Sequence, residues 1–454
     1  MKVLLISVNK EKDPCPAAPI GVAYIAGALR QRDHRVGILD LCFIEDDDSA
    51  ILTALRKSTP DIIGLSIRNI DNLTYPQSAF YMPRVRHIVD LIKKNTTVPI
   101  IAGGSGFSIF PEEALRYLGL DFGIVGEGER AFPLFADALA SGGETGLIQG
   151  LCRIRDGRFS ANGRTCGEIA DRPDRSLLDN QTYLELGGMA NIQSKRGCPF
   201  TCSYCTYPNI EGRQLRLRRP SSVVDELKEM RADYGIDYCF FVDDIFNFPE
   251  DHAADLCEEI IRSDLEMDWM CFATPKGMTH GLASLMKRAG CKGVEFGSDA
   301  GSERTLRGLG KQFTPEDIAY ASECCNAIGL PDAHYLIMGG PEEDRSTLEE
   351  TFALFEKIKP TAVISLTGLR IYPDTQIHSR AVDEGMIEKS ESLLEPAFYL
   401  SPLIESDALL QQVAGHAGRH HNWIVPGLNI RCDTDTMALL RRMGRKGPLW
   451  DMLL

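Results

Sequence analysis

The chain of 454 residues carries 49 basic and 64 acidic side chains, which gives a net charge of −15 at neutral pH. The length predicts two or three domains, and the excess of acids argues against a nucleic-acid groove, where basic surface is expected. No run of about 18 apolar residues occurs, so no membrane span is expected. Fourteen cysteines without a recognisable signal peptide predict a reducing, cytoplasmic location rather than a disulfide scaffold.

The N-terminal region alternates short apolar runs with amphipathic stretches. Five strands are predicted, each followed by a helix: Val3–Ser7, Arg35–Asp40, Asp61–Ile67, Pro99–Gly103 and Phe122–Gly126. Continuous apolar strands joined by helices predict a parallel sheet covered on both faces. Residues 1–140 are therefore expected to form a doubly wound, Rossmann-like α/β domain. Ligands of such sheets bind at the carboxyl ends of the strands.

Polar and glycine residues follow three of these strands at that edge. They are Ser66, Arg68 and Asn69 after the third strand, Gly103 and Gly104 after the fourth, and Gly126 and Glu127 after the fifth. Glycine allows close approach of a ligand or a positive φ. One glycine turn indicates little, because glycine is common after any strand. Three turns on one rim predict a ligand site.

Residues 141–186 read as a turn-rich linker, with a short hairpin predicted around Leu151–Ser160. From Met189 onward the alternation of strands and helices returns. The predicted strands are Ala190–Ser194, Tyr238–Val242, Trp269–Ala273, Gly293–Gly297, His334–Met338 and Ala362–Leu369. They predict a partial (β/α)6 barrel over residues 187–384, and catalytic groups of such barrels lie at the carboxyl ends of the strands.

Residues 385–454 lack this pattern and are predicted to close the barrel mouth and set specificity. His416 and His420 are four positions apart, so they would share one face of a helix. The acid of an HExxH motif is missing between them. Packing or pocket lining is therefore favoured over a metal site.

The loop after the first barrel strand contains Cys198, Cys202 and Cys205 in CxxxCxxC spacing. Thiolates are the usual ligands of iron–sulfur clusters, which normally have four. Three ligands leave one iron open to bind a small molecule. A redox pair or half a zinc site is the alternative interpretation, but a zinc site would need a second CxxC or a histidine pair.

This motif, with Tyr204 before its last cysteine, resembles the signature of the radical S-adenosylmethionine (SAM) enzymes. The resemblance implies a 4Fe–4S cluster whose open iron holds SAM. It implies reductive cleavage of SAM to a 5′-deoxyadenosyl radical, which abstracts hydrogen from a small-molecule substrate. It also implies an electron donor such as a flavodoxin or a ferredoxin.

The same resemblance assigns SAM contacts at other barrel strand ends. They are Asp243 and Asp244 near the methionine amino group, Ser298 and Asp299 near the ribose, Gly340 near the adenine, and Arg370 near SAM or substrate. Other interpretations stay open for several of them. Ser298 and Asp299 also suit a helix N-cap, and a lone arginine in a strand is usually paired. Lys311 either matches a basic residue common in the family or lies on the surface.

The N-terminal region resembles the cobalamin-binding domain of class B radical SAM methylases. The matching segments are Pro19-Ile20-Gly21, Ala102-Gly103-Gly104 and Val125-Gly126-Glu127-Gly128-Glu129. The DxHxxG motif, which supplies an axial histidine in cobalamin-dependent mutases, is absent. The lower axial position is therefore unassigned, and Arg68 or Asn69 is a candidate to approach the cobalt.

The implied reaction is cobalamin-dependent C-methylation, in which cobalamin delivers the methyl group. One alternative keeps the radical but not the cobalamin: dehydration, deoxygenation or rearrangement of a small molecule such as an aminoglycoside-type sugar. Another is a non-catalytic cluster or cobalamin sensor. The complete set of predicted SAM-contacting strand ends argues against the sensor.

Overall fold

The computed structural model describes residues 1–164, 167, 169, 172–426 and 439–452. The N-terminal strands are β1 (Lys2–Ser7), β2 (Arg35–Asp40), β3 (Ile62–Ser66), β4 (Ile100–Gly103), β5 (Phe122–Ile124), β6 (Leu151–Arg155) and β7 (Arg158–Ala161). The helices between and after them are α1 (Ile20–Arg30), α2 (Asp47–Ser58), α3 (Met82–Asn95), α4 (Ser105–Ile109), α5 (Pro111–Leu118), α6 (Gly128–Ser141) and, beyond the 3₁₀ turn Arg175–Leu177, α7 (Asn180–Gly187).

These strands form one sheet in the order β2-β1-β3-β4-β5-β6-β7. The first five strands are parallel, as predicted, whereas β6 and β7 add an antiparallel hairpin to the edge. The hairpin occurs where the sequence predicted it, but it belongs to this sheet rather than to a free linker. The sheet therefore extends past residue 140. Leu151 and Cys152 are buried in its core, which explains the attachment.

Alternate residues of the central strands enter two different cores. Leu4 and Ile6 of β1 pack under one helical layer, while Val3 and Leu5 pack under the other. A β-carbon at Gly64 would lie 2.8 Å from the Leu5 side chain of β1 and 3.1 Å from the Phe132 ring of α6, so the sheet and the helix layer leave no room there for a side chain. This burial on both faces is what the apolar strands predicted.

The second half of the chain builds the barrel. Its strands are β8 (Ala190–Ile192), β9 (Lys195–Arg196), β10 (Arg216–Leu217), β11 (Tyr238–Phe241), β12 (Asp268–Ala273), β13 (Cys291–Asp299), β14 (Asp332–Met338), β15 (Ala362–Thr367), β16 (Leu369–Arg370), β17 (Phe398–Tyr399) and β18 (Trp423–Ile424). Its helices are α8 (Tyr207–Ile210), α9 (Pro220–Tyr234), α10 (Glu250–Arg262), α11 (His280–Arg288), α12 (Glu303–Gly308), α13 (Pro315–Asn326), α14 (Arg345–Ile358), α15 (Gln376–Asp383), α16 (Ser406–Ala417) and α17 (Leu449–Met452).

The barrel sheet is parallel and runs in the order β18-β15-β14-β13-β12-β11-β8. The six predicted strands are present. The seventh, β18, comes from the C-terminal segment, where no barrel strand was predicted. Trp423 of β18 is buried against α14, and this packing places the short strand beside β15.

The carboxyl ends of the two sheets face each other. Asp71, after β3, pairs with Arg370 of β16 at 2.9 Å. A β-carbon at Gly126, after β5, would lie 3.4 Å from the carbonyl oxygen of Ile210 in α8. Both rims predicted to carry ligands therefore border the same space. Among the described helices, none combines the length and apolar character that a bilayer crossing requires.

Candidate active site

The cysteine motif lies on a loop that is closed at its base. The strands β9 and β10 pair antiparallel on either side of it. Gly197 has a φ of 90°, and a β-carbon there would lie 2.3 Å from the carbonyl oxygen of Gln214. The backbone of Gly197 also donates to the Glu211 carboxylate at 3.0 Å. The loop therefore starts from a fixed position above the end of β8.

A second segment supports the loop from the side. The Ser203 amide donates to the carbonyl oxygen of Leu309 at 2.9 Å. Gly310 has a φ of 73°, and a β-carbon there would lie 2.7 Å from the carbonyl oxygen of Thr201. This close approach requires glycine, so the segment after α12 determines where the cysteine loop can lie.

The three cysteine thiols lie on one loop, close enough to influence one another's pKa. Burial raises the pKa of Cys198 to about 11 and that of Cys205 to about 12, and the negative charge of Cys202 adds to both shifts. Lys311 acts in the opposite direction on Cys202. Three thiols on one loop beside a lysine are a donor set suited to an iron–sulfur cluster. The raised pKa values keep the thiols protonated and neutral in the apoprotein. A bound metal cation would instead stabilise their thiolate forms.

Asp299 is the centre of a polar cluster beside this loop. Its carboxylate accepts a hydrogen bond from the Tyr204 hydroxyl at 2.5 Å and pairs with the Lys311 ammonium at 2.5 Å. Lys311 also donates to the carbonyl oxygen of Gly297 at 3.2 Å. Its side chain is buried, which decides between the two interpretations that the sequence left open. Tyr204 and Asp299 thus belong to one cluster, and their roles as cofactor contacts stay predictions.

The two acids after β11 have different surroundings. Asp243 is fully buried and accepts from the backbone amides of Ser194 at 2.6 Å and Lys195 at 3.1 Å. Asp244 is half-buried, and one of its oxygens has no hydrogen-bond partner among the described residues. Burial, followed by the charges of Glu211 and Asp243, raises the pKa of Asp244 well above its usual range. Asp244 rather than Asp243 is therefore directed at the cysteine loop.

Two other predicted contacts, Ser298 and Arg370, are occupied by protein partners. The Ser298 hydroxyl lies 2.7 Å from Nδ1 of His334, in a buried network under the helices. The Arg370 guanidinium is directed at Asp71 and at the carbonyl oxygens of Ile371 and Leu393. Their roles as ligand contacts stay predictions, and this geometry favours structural roles.

Glu127 is also engaged by protein partners. It accepts from Arg216 at 2.8 Å, and Arg196 lies 3.5 Å away. These ion pairs connect the N-terminal rim to β9 and β10 at the base of the cysteine loop. Glu129 adds a further pair with Arg196 at 2.7 Å. Here the structure shows a domain connection where the sequence predicted a cofactor contact.

The glycines of the N-terminal rim lie where the backbone packs closely against neighbouring segments. Gly104 has a φ of 102°, and a β-carbon there would lie 2.6 Å from the carbonyl oxygen of Ile67. Gly103 pairs in register with Ser66, and Gly126 donates to the Ser108 hydroxyl at 2.9 Å. Gly340 lies on the barrel side, where a β-carbon would be 3.3 Å from Leu309.

Arg68 projects from this rim into the space between the domains. It is exposed, and no described residue pairs with its guanidinium. Burial raises the pKa of Cys15, Cys42 and Tyr207, and the charge of Arg68 opposes all three shifts. Because Tyr207 belongs to the cysteine loop, Arg68 is close to both rims. A rim without side chains and with an exposed cation suits a cofactor that carries a phosphate group, such as cobalamin. Asn69 lies beside it, half-buried.

Two acids of the barrel half were not among the residues predicted from the sequence. Glu211 is in the cysteine loop itself, and an acid inside such a loop was a usable signal. Glu295 interrupts the apolar run Val294-Glu295-Phe296, which was also a visible signal. The histidine pair does meet, with Glu356 at 3.3 Å from His420, and His416 also stacks on Phe352 with ring centroids 4.0 Å apart.

Two family models match the chain. The B12 binding domain matches residues 9–136, and the radical SAM superfamily matches residues 192–355, so that together they match more than half of the chain. The chain belongs to the radical SAM superfamily and carries an N-terminal B12-binding domain. The predicted family, fold class and enzymatic nature are confirmed. Its cofactors are a 4Fe–4S cluster, SAM and cobalamin.

Individual relatives align with this chain over most of its length. An uncharacterised methyltransferase of Pyrococcus horikoshii is 27% identical, covering 85% of this chain and 84% of that protein. The tryptophan 2-C-methyltransferase of Streptomyces laurentii is 25% identical, covering 81% and 72%. The solved structure of the radical SAM methyltransferase TsrM from Kitasatospora setae, with cobalamin and a 4Fe–4S cluster bound, has a TM-score of 0.89 at 23% identity and covers 100% of this chain and 97% of that chain. This last likeness is one of fold.

Proposed function

We propose that this enzyme transfers a methyl group to a carbon atom of a small molecule, using cobalamin and SAM in the space between its two domains. The observation that carries the proposal is the meeting of two ligand rims. The cysteine loop of the barrel and the glycine rim of the B12-binding domain border one space, and Gly126 lies against Ile210 at their junction. Reactants held by the two domains would therefore be neighbours.

The barrel side would hold the cluster and SAM. Cys198, Cys202 and Cys205 would ligate the cluster. Asp299, held in place by Lys311 and Tyr204, would accept hydrogen bonds from the ribose of SAM. The free oxygen of Asp244 would accept from the methionine ammonium in a charge-assisted bond.

The N-terminal side would hold cobalamin, which supplies the methyl group when bound. Gly104 and Gly126 leave the rim without side chains, so a large planar ring can approach the backbone. Arg68 would face the cobalt or the ring, because its guanidinium is exposed between the domains. The Arg370–Asp71 and Arg216–Glu127 pairs would keep the two rims in register.

The relatives favour methylation over the other radical reactions. Two of them are described as methyltransferases, and one of these acts on tryptophan, a small molecule. Dehydration, deoxygenation or rearrangement without cobalamin would not explain the glycine rim or the exposed position of Arg68. We further propose a low-potential electron donor such as a flavodoxin or ferredoxin, and a cytoplasmic location, because a cluster that must be reduced needs both.

The proposal is tested on protein purified anaerobically from cells supplied with cobalamin. We expect about four irons and one corrinoid per chain. Incubation with a reductant, a metabolite extract and SAM labelled in its methyl group should place the label in a small molecule. Cleavage of SAM at full rate by corrinoid-free protein, without transfer of the label, would instead support the cobalamin-independent reactions.

A further inference from the structure

The barrel lumen contains a buried carboxylate that the cofactors do not use. Along β13, Val294 and Phe296 point to the helices, so Glu295 points to the lumen. Only 4% of Glu295 is exposed. Asp299, the proposed SAM contact, lies four residues further along the same strand. At about 3.3 Å per residue, Glu295 is roughly 13 Å deeper in the barrel than the SAM site.

Glu295 has neutral partners and no cationic one. Its Oε1 accepts from the indole nitrogen of Trp450 at 2.8 Å, and the Tyr335 hydroxyl is a second donor. No described lysine, arginine or histidine forms an ion pair with it. Arg441, the buried cation of the C-terminal segment, is directed at the carbonyl oxygens of Arg445 and Gly447 instead. A buried carboxylate is normally paired with a cation, because its desolvation is costly.

Opposing effects act on the pKa of Glu295. Burial raises its pKa to about 7, while the bonds from Trp450 and Tyr335 lower it. Near neutral pH the group is therefore close to the point at which a proton is gained or lost. A cation entering the lumen would favour the ionised form and gain a charge-assisted hydrogen bond.

Aromatic rings line the lumen beside this acid. Phe272 is the residue of β12 directly opposite Glu295 in the sheet register, and it is 39% exposed although it points inward. Its ring centroid lies 4.7 Å from that of Phe240 and 6.3 Å from that of Tyr335. The lumen is thus open at this level. Below it, the Trp450 ring closes the floor, 3.0 Å from where a β-carbon of Gly293 would lie.

We propose that this part of the lumen is the substrate-specificity subsite and that it takes a protonated amine carried on an aromatic or other planar apolar body. Glu295 binds the ammonium group, and Phe240, Phe272 and Tyr335 contact the apolar body. The proposal rests on the methyltransferase function above and adds the chemical class of the substrate to it. The bound molecule would extend from Glu295 towards the SAM site at the barrel mouth.

A purely structural role for Glu295 predicts something different. In that case the carboxylate would only hold α17 against the barrel floor through Trp450. Such a latch needs a hydrogen-bond acceptor for Trp450 but no negative charge. It does not explain why the aromatic side chain of Phe272 is exposed to the lumen. The two roles separate when the charge is removed and the acceptor is kept, as in Glu295→Gln.

The test is calorimetric binding to protein loaded with cluster and cobalamin. The probes are two pairs, each matched in shape: tryptamine with 3-ethylindole, and benzylamine with benzyl alcohol. In the unaltered protein we expect each amine to bind at least tenfold more tightly than its neutral partner. In Glu295→Gln this ratio should fall to about one. Phe272→Leu should weaken all probes but preserve the ratio, and Glu349→Gln, on an exposed helix face, is the control.

Two results would overturn the subsite. One is that the unaltered protein does not prefer either amine. The other is that Glu295→Gln keeps the preference. A latch further predicts that Trp450→Phe, and not Glu295→Gln, lowers the melting temperature. The function is judged separately. Amine preference without methyl-label transfer would reject methylation only, whereas transfer to a substrate without an amine, unaffected by Glu295→Gln, would reject the subsite only.

Discussion

Arg370 and Asp71 are 299 positions apart in the chain and meet in a buried ion pair, with Nε 2.9 Å from Oδ2. Their side chains are 3% and 0% exposed. Arg370 belongs to the barrel and Asp71 to the loop after β3 of the B12-binding domain. The remaining guanidinium nitrogens donate to carbonyl oxygens, so the pair connects the two domains at the level of the cofactor rims.

Arg370→Met should destabilise the chain strongly. Removing one partner of a buried pair leaves the Asp71 charge without compensation, at a cost of about 3–5 kcal/mol. The measurement is the midpoint of chemical denaturation. Arg345→Met is the matched control, because its pair with Glu349 is exposed and should shift the midpoint little. Adding Asp71→Asn to Arg370→Met should recover part of the loss. Equal midpoints for the two arginine variants would contradict this role.

Gly310→Ala should impair cluster loading without unfolding the barrel. Its new β-carbon would lie 2.7 Å from the carbonyl oxygen of Thr201, and the cysteine loop would have to move. Gly235→Ala is the control, because Gly235 has a similar φ of 64° but nothing within 4 Å of its added carbon. Both variants carry a backbone cost of about 1–2 kcal/mol. Iron per chain after anaerobic reconstitution should fall at least twofold in Gly310→Ala only.

Alanine at Cys198, Cys202 or Cys205 should abolish both the cluster and SAM cleavage. With two thiolates left, the cluster loses a ligand that water replaces poorly. The readouts are iron content and SAM-dependent formation of 5′-deoxyadenosine. Cys257→Ala, in the buried face of α10, should leave both nearly unchanged. Retained cleavage in any of the three loop variants would exclude the proposed ligand set.

Glu343→Gln should flatten the dependence of apoprotein stability on pH. Burial raises the pKa of Glu343 in the folded chain from 4.5 to about 7, despite backbone hydrogen bonds from Gly339 and Gly340 that lower it. Between these values the folded state binds a proton that the unfolded chain has released. This contribution is therefore complete below about pH 4 and is lost as the pH rises to 7.

The expected size of that effect is at most about 3 kcal/mol. The measurement is the change in melting temperature between pH 5 and pH 8 for the two proteins, since every other titrating group is shared. The decrease on going to pH 8 should be larger in the unaltered chain. An equal decrease in both proteins would mean that Glu343 is not buried as an acid.

Local patterns predicted the parts of this protein that depend on neighbouring residues. The spacing of Cys198, Cys202 and Cys205 requires only a tight loop, and the apolar periodicity of the strands requires only a two-sided sheet. Tyr204 and Asp299 were singled out because each is adjacent to such a local signal, and their SAM contacts stay predictions. The fold class followed from these features, and the cofactors followed from the family resemblance of the motifs.

Contacts between distant segments were not predictable in the same way. The sequence could not show whether Lys311 lies on the surface or beside Asp299, because the answer depends on how the chain after α12 returns to the cysteine loop. It left Arg370 between a ligand contact and a paired residue, and only the packing of the domains supplied Asp71 as the partner. Glu127, predicted to contact a cofactor, pairs with Arg196 and Arg216 across the same boundary.

The sequence by itself determined that three thiols lie on one loop and that glycines follow the strands of an α/β sheet, since both are properties of consecutive residues. Only the tertiary structure decided that the two rims share one space and that Trp450 reaches Glu295 from 155 positions away. The physical reason is that burial and charge pairing arise when remote segments exclude water together.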